Sequence, residues 1–150
     1  MYVTLLSNVV DAIAPKLAGT APAGFTNGIK ATIAKSKAFE LGRITVAELQ
    51  ELEGESTRLT GRLELVIQGY MSTKDAGLEY VDSLSNDNLC NLRDLADIGA
   101  RTTRIAENGG SEAAKQECNE ALSWAYAIAE RLGDQALERR IGELIDNARP

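Results

Sequence analysis

Apolar residues recur along most of this chain at intervals of three and four, the spacing that stacks them on one face of an α-helix. Val3, Leu6, Val9, Val10, Ile13 and Leu17 begin the pattern, and Pro15 is expected to kink or end this first helix near its last turn. Residues 19–28 are rich in Gly, Pro, Thr and Asn, which is turn chemistry, and read as an internal loop. A second helix is expected over residues 29–41, with Lys30 and Lys37 two turns apart on one face and Gly42 where a C-terminal glycine belongs. The next four residues, Thr45, Val46, Ala47 and Glu48, form a capping box in which the Thr hydroxyl and Glu carboxylate satisfy each other's free backbone amides.

The helix that starts there has the most regular stripe: Leu49, Leu52, Ser56, Leu59, Leu63, Val66 and Tyr70 alternate three and four residues apart. Such a stripe packs along a neighbouring helix at a shallow angle, so residues 46–71 are expected to form the long central element. A break over 72–77 precedes a short helix carrying Leu78, Val81 and Leu84, and Ser85, Asn86 and Asp87 can cap the one after it. That helix is expected to run to Glu107, with Leu89, Leu92, Leu95, Ile98 and Ile105 inward and Arg93, Asp94, Asp97, Arg101 and Arg104 outward as a solvated face.

Asn108, Gly109 and Gly110 end it, and Ser111 caps an alanine-rich helix whose inward residues are Ala114, Cys118, Ala121, Leu122, Ala125, Ala129 and Leu132. Gly133 and Asp134 stop that helix and cap the last, in which Leu137, Ile141, Leu144 and Ile145 face inward. The segments 105–113 and 128–136 echo each other at a spacing of 23. The second copy resembles the junction of tetratricopeptide-type repeats, where a helix ends in a Leu-Gly-Asp turn, over about thirty residues and without that family's 34-residue period. The resemblance supports helical hairpins.

Composition agrees. The chain has few prolines and aromatics and is rich in Ala, Leu, Glu and Arg, which lose little entropy in a helix. Its 150 residues suit one domain with its own core. The expected fold is therefore all-α: a compact bundle of five to seven helices in a single domain, 1–150, with one long central amphipathic helix.

Charge and residue chemistry narrow the function classes. The net charge is -6, and residues 51–100 hold ten acidic side chains against four basic ones, a surface that repels a nucleic-acid backbone. Lys30, Lys35, Lys37 and Arg43 make a mild basic patch without interleaved aromatics. There is no histidine, which removes the usual neutral-pH base, the commonest nitrogen metal ligand and the Ser-His and Cys-His nucleophile pairs. Cys90 and Cys118 stand in different helices without a C-x-x-C pattern, which fits a reduced, cytoplasmic chain. The first nineteen residues lack a basic leader segment and carry Asp11, so they read as a core helix, and no apolar run is long enough to span a bilayer.

Two acidic pairs, Glu48 with Glu51 and Glu79 with Asp82, stand at i, i+3 on separate helices. They are similar to the E-x-x-E…E-x-x-D pattern of all-α nucleotide pyrophosphohydrolases. The resemblance implies a Mg²⁺ held by the four carboxylates and bound to substrate phosphates, chemistry that needs no histidine. The lysine and asparagine positions that accompany the family's carboxylates are not identifiable here.

A second feature is the line Ala47, Gly54 and Gly61, spaced by seven on the side opposite the Leu49 stripe, where small residues permit close backbone approach. Trp124 and Tyr126 flank the inward stripe of their helix and are candidate interface anchors or lids of the core. Acidic clusters at 51–55 and 94–97 could mimic a phosphate backbone. The leading expectation is a non-enzymatic, cytoplasmic interaction protein without cofactor, an adaptor or inhibitor that binds a protein partner or its own copy and neither nucleic acid nor membrane. A Mg²⁺-dependent pyrophosphohydrolase and an acidic nucleic-acid mimic are the alternatives.

Overall fold

The computed structural model describes residues 2–17, 25–52, 54–55, 57–58, 61 and 86–148, and among these the only regular structure is α-helix. The first helix, α1 (Tyr2–Leu17), buries Val3, Leu5, Leu6, Val9, Val10, Ile13, Ala14 and Leu17. So complete an apolar face needs neighbours along its whole length, and α1 has them: α2 (Phe25–Glu40), α4 (Asn86–Asn108), α5 (Glu112–Leu132) and α6 (Gln135–Ala148) all pack against it. Pro15 does not end the helix, which continues through it to Leu17. Pro15 is solvent-exposed, so water can take the Asp11 carbonyl that its missing N–H leaves free.

The second helix starts four residues earlier than its turn-forming residues suggest, at Phe25. Ile29 and Ile33 are buried, and the buried hydroxyls of Thr32 and Ser36 donate to the carbonyls of Gly28 and Thr32, so this helix carries polar residues inward without stranding them. It ends as the glycine predicts. Gly42 is left-handed with φ 74°, its N–H donates to Phe39 O, and the Arg43 N–H donates to Ala38 O, which closes a Schellman turn.

The capping box follows as expected: Glu48 N–H donates to Thr45 Oγ1 at 3.2 Å, and the Thr45 N–H and hydroxyl donate to Glu48 Oε1 at 3.4 and 3.2 Å. It opens α3, whose described residues, 46–52, 54–55, 57–58 and 61, are all helical. Leu49 and Leu52 are buried in the core as their stripe predicts. The remainder of that expected helix, with Ser56, Leu59, Leu63, Val66 and Tyr70, lies outside the described residues. So do the break at 72–77, the short helix of Leu78, Val81 and Leu84, the Ser85 cap and the first part of the 19–28 loop.

The long helices at the centre of the described bundle are α4 and α5, an antiparallel pair. Ala114, Cys118, Ala121, Ala125, Ile128 and Ala129 of α5 are all at most 2% exposed, and these mostly small side chains let the two backbones lie close. All five residues expected inward on α4 are buried. The turns between the last three helices share one device, and their N-caps repeat at the predicted spacing. Ser111 Oγ accepts from Ala114 N–H at 3.2 Å, and Asp134 Oδ1 accepts from Leu137 N–H at 2.9 Å. Gly109 and Gly133 precede them with φ 66° and 67°.

An L side chain is strained in that backbone conformation, so Gly133→Ala should lower stability by about 1 kcal/mol, read as a shift of the urea midpoint. An unchanged midpoint would show that the α5–α6 turn relaxes freely. Leu137 and Ile141 of α6 are buried, and Leu144 and Ile145 pack partly against the same core. No described helix is long and apolar enough to cross a membrane.

Candidate functional site

Two regions depart from a plain packed bundle: the outer face of α3 and the polar seam between α4 and α5. On α3, every described residue from Val46 to Gly61 other than Leu49 and Leu52 is exposed. Around the helix at its ordinary pitch, Val46, Ala47, Gln50, Gly54, Thr57 and Gly61 fall on one side. That side carries no charge along its middle, and Arg58, Glu51, Glu55 and Glu48 lie toward one border.

Val46 is 56% exposed, and Leu41, in the turn leading into the helix, is 58% exposed. A Cβ added at Gly54 or Gly61 would meet nothing within 4 Å. Among the described residues, therefore, no neighbouring helix uses the close approach these glycines allow, although each costs about 1 kcal/mol of helix propensity relative to alanine.

The structure places the candidate carboxylates unevenly. Glu48 is exposed and engaged in the capping box, Glu51 is exposed one turn further on, and Glu79 and Asp82 lie outside the described residues. Among the described residues no three Cys, Asp or Glu side chains gather as metal ligands. The proposed meeting of the two pairs thus has one described half, in which one carboxylate already serves the helix terminus.

The seam between α4 and α5 corrects the sequence reading. Asp94, expected on a solvated face, has a fully buried side chain, as does Asn91 one turn before it. The reason lies in the packing: α1, α2 and α5 cover α4 on three sides, which leaves little solvated face for a charge to occupy. Asp94 Oδ2 instead accepts from Arg131 Nη1 of α5, and the Arg93 Nε stands 3.9 Å from Oδ1.

Burial pushes the Asp94 carboxyl above its ordinary range, against the opposing pull of Arg131 and Arg93. Oδ1 of Asp94, both polar atoms of the Asn91 amide and the Trp124 Nε1 are buried without a hydrogen-bond partner among the described residues. Asp94 and the half-buried Asp97 therefore do not form the exposed acidic cluster that a phosphate mimic needs.

Further along the seam, Arg101 and Arg104 are half-buried rather than splayed into solvent, and both reach across to Glu117 of α5, at 2.5 and 3.1 Å. Arg101 also lies 3.6 Å from Glu120. Burial pushes the Glu117 carboxyl up, but the hydrogen bonds and charges of Arg104 and Arg101 together outweigh it and hold the group below its ordinary range. These pairs are interhelical, a kind that i, i+4 spacing along one helix does not reveal. Single-sequence spacing carries no sign of them, because Asp94 and Arg131 are 37 residues apart.

Trp124 is half-buried, with the Arg93 guanidinium carbon 6.0 Å from its ring centroid. Tyr126 is 38% exposed, and its hydroxyl lies 3.6 Å from where a Cβ on Gly142 would stand, so the ring spans the α5–α6 hairpin. Both aromatics thus have partners in their own chain. An open polar depression of about 370 Å³ runs along the outer face of α5, lined by Glu112, Lys115, Gln116, Asn119, Glu120 and Ser123. It holds no nucleophile paired with a base.

Cys90 and Cys118 are free thiols, and burial pushes that of Cys118 up to about 11, which keeps it protonated and unreactive at neutral pH. Comparison with known proteins finds no matching family model, no matching curated protein and no matching solved structure.

Proposed function

We propose that this chain is a non-enzymatic helical interaction protein, an adaptor or inhibitor that works by presenting one helix face to another macromolecule. The observation that supports this reading is the outer face of α3. It combines an exposed Val46, an uncharged middle of Ala47, Gly54 and Gly61, and open space above both glycines. A face so low in relief offers little to a small molecule and admits another helix at short distance.

Three of the carboxylates are committed to the fold. Glu48 caps a helix, Glu117 binds two arginines and Asp94 is sealed between helices. That leaves none of the three free for acid–base work. The border of the face carries Arg58 beside Glu48, Glu51 and Glu55, so a partner surface has to offer basic groups to the glutamates and an acidic group to the arginine.

Size-exclusion chromatography with light scattering at two salt concentrations tests the reading, alongside thermal shift with Mg²⁺ and a panel of nucleotides. The expected result is a self-associated species that survives added salt, loses mass in Gly54→Leu and shows no nucleotide shift. A Mg²⁺-dependent nucleotide shift, abolished in Glu51→Gln, would replace this reading with phosphate-ester hydrolysis.

A further inference from the structure

We infer that the outer face of α3 is self-complementary and takes a second copy of the same face, running antiparallel about a two-fold axis that passes beside Gly54. The inference rests on the interaction reading above and adds its partner and geometry. Ala47 and Gly61 stand seven residues to either side of Gly54, so each is two helical turns from it and on nearly the same side. Turning an identical helix end for end about Gly54 sets Gly54 against the partner's Gly54 and Ala47 against the partner's Gly61. The smallest residues then meet along the whole contact, which a two-fold interface requires of any residue line.

The polar residues obey the same symmetry. At helical pitch Arg58 and Glu51 lie about 40° and about 60° to one side of Gly54, and Gln50 and Thr57 about 40° and about 60° to the other. Antiparallel pairing brings like edges together. Glu51 then faces the partner's Arg58 twice in each dimer, and Gln50 faces the partner's Thr57. Parallel pairing brings unlike edges together and sets both charges against the neutral Gln50 and Thr57 edge, so the Glu51–Arg58 pair selects the antiparallel arrangement. Glu51, Arg58, Gln50 and Thr57 are all exposed, and among the described residues neither Glu51 nor Arg58 is drawn into an ion pair that would have to break.

Charge reversal and cross-linking test the arrangement. Sedimentation equilibrium should give a reversible dimer for the wild type. Glu51→Arg and Arg58→Glu should each weaken it by about tenfold, and the double variant should return to near the wild-type constant. In a Cys90→Ser background, Gly54→Cys should form a disulfide-linked dimer under mild oxidation, because the two copies meet at the axis. Ala47→Cys should not, because its two copies stand about 20 Å apart along the helices. Cys118 is buried and takes no part.

Ala47, Glu51, Gly54 and Arg58 are all solvent-exposed, so substitutions there should keep the wild-type circular dichroism. A dimer indifferent to both charge reversals, or one in which Ala47→Cys cross-links as readily as Gly54→Cys, would overturn the antiparallel geometry while leaving the interaction reading in place. A chain that stays monomeric to millimolar concentration would overturn the second copy as partner, and a nucleotide shift in the same preparation would overturn the interaction reading too.

Discussion

Leu6→Ala and Ile13→Ala should each lower the stability of this protein by about 2–5 kcal/mol, among the largest losses that single aliphatic truncations can give here. Both side chains are fully buried, on the helix that touches α2, α4, α5 and α6 alike. Removing three carbons at such a position forfeits the transfer free energy of the lost groups and leaves a cavity that four surrounding helices cannot all move to fill. Urea denaturation followed by far-ultraviolet circular dichroism measures the effect as a lower midpoint at unchanged slope. Val46→Ala, on the open face of α3, is the control and should move the midpoint by no more than about 0.5 kcal/mol. Losses below about 1 kcal/mol at both α1 positions would mean that α1 is not the keystone of the bundle.

Arg131→Ala should be as damaging, by about 3–5 kcal/mol, because it leaves the carboxylate of Asp94 buried with its strongest partner gone. The pH dependence distinguishes this from a packing defect. Burial already raises the Asp94 pKa above its ordinary value near 3.8. A group raised in the folded state contributes stability that is fully present below its unfolded pKa and is lost as the pH climbs through the folded value. Loss of the arginine raises the folded pKa further.

The deficit of Arg131→Ala should therefore be greatest at neutral pH and shrink as the pH falls toward 4. Asp94→Asn in the same background removes the charge and should recover most of the loss. A deficit that is flat between pH 4 and 7, or a double variant no better than Arg131→Ala, would show that Arg131 acts through its aliphatic stem rather than its charge.

Stability and the proposed interface thus occupy different parts of the molecule. The seam between α4 and α5 holds its charges in pairs within the chain, whereas α3 exposes a face that no described residue covers. Substitutions in the seam should move melting temperature and spare association until the bundle opens. Substitutions at Gly54, Glu51 or Arg58 should do the reverse.

What the sequence determined by itself is the set of described helices and where most of them stop. Those features are local: a repeat of three and four brings Leu89, Leu92, Leu95 and Ile98 to one side whatever the helix packs against, and the left-handed turn at Gly42 needs only a residue without a Cβ. The caps at Thr45, Ser111 and Asp134 belong to the same class, since each bond spans three residues.

Tertiary structure decided which polar residues go inside. Thr32, Ser36, Thr102 and Thr103 could be buried because each hydroxyl returns its hydrogen bond to the preceding turn, an option that apolar periodicity cannot register. Asp94 went inside because three helices converge on α4 and an arginine 37 residues away was brought to meet it. The small-residue line of α3 was legible in the spacing of Ala47, Gly54 and Gly61, but its open surroundings were not. Whether a helix face is covered depends on where every other helix lies, and that is a property of the packed chain rather than of any stretch within it.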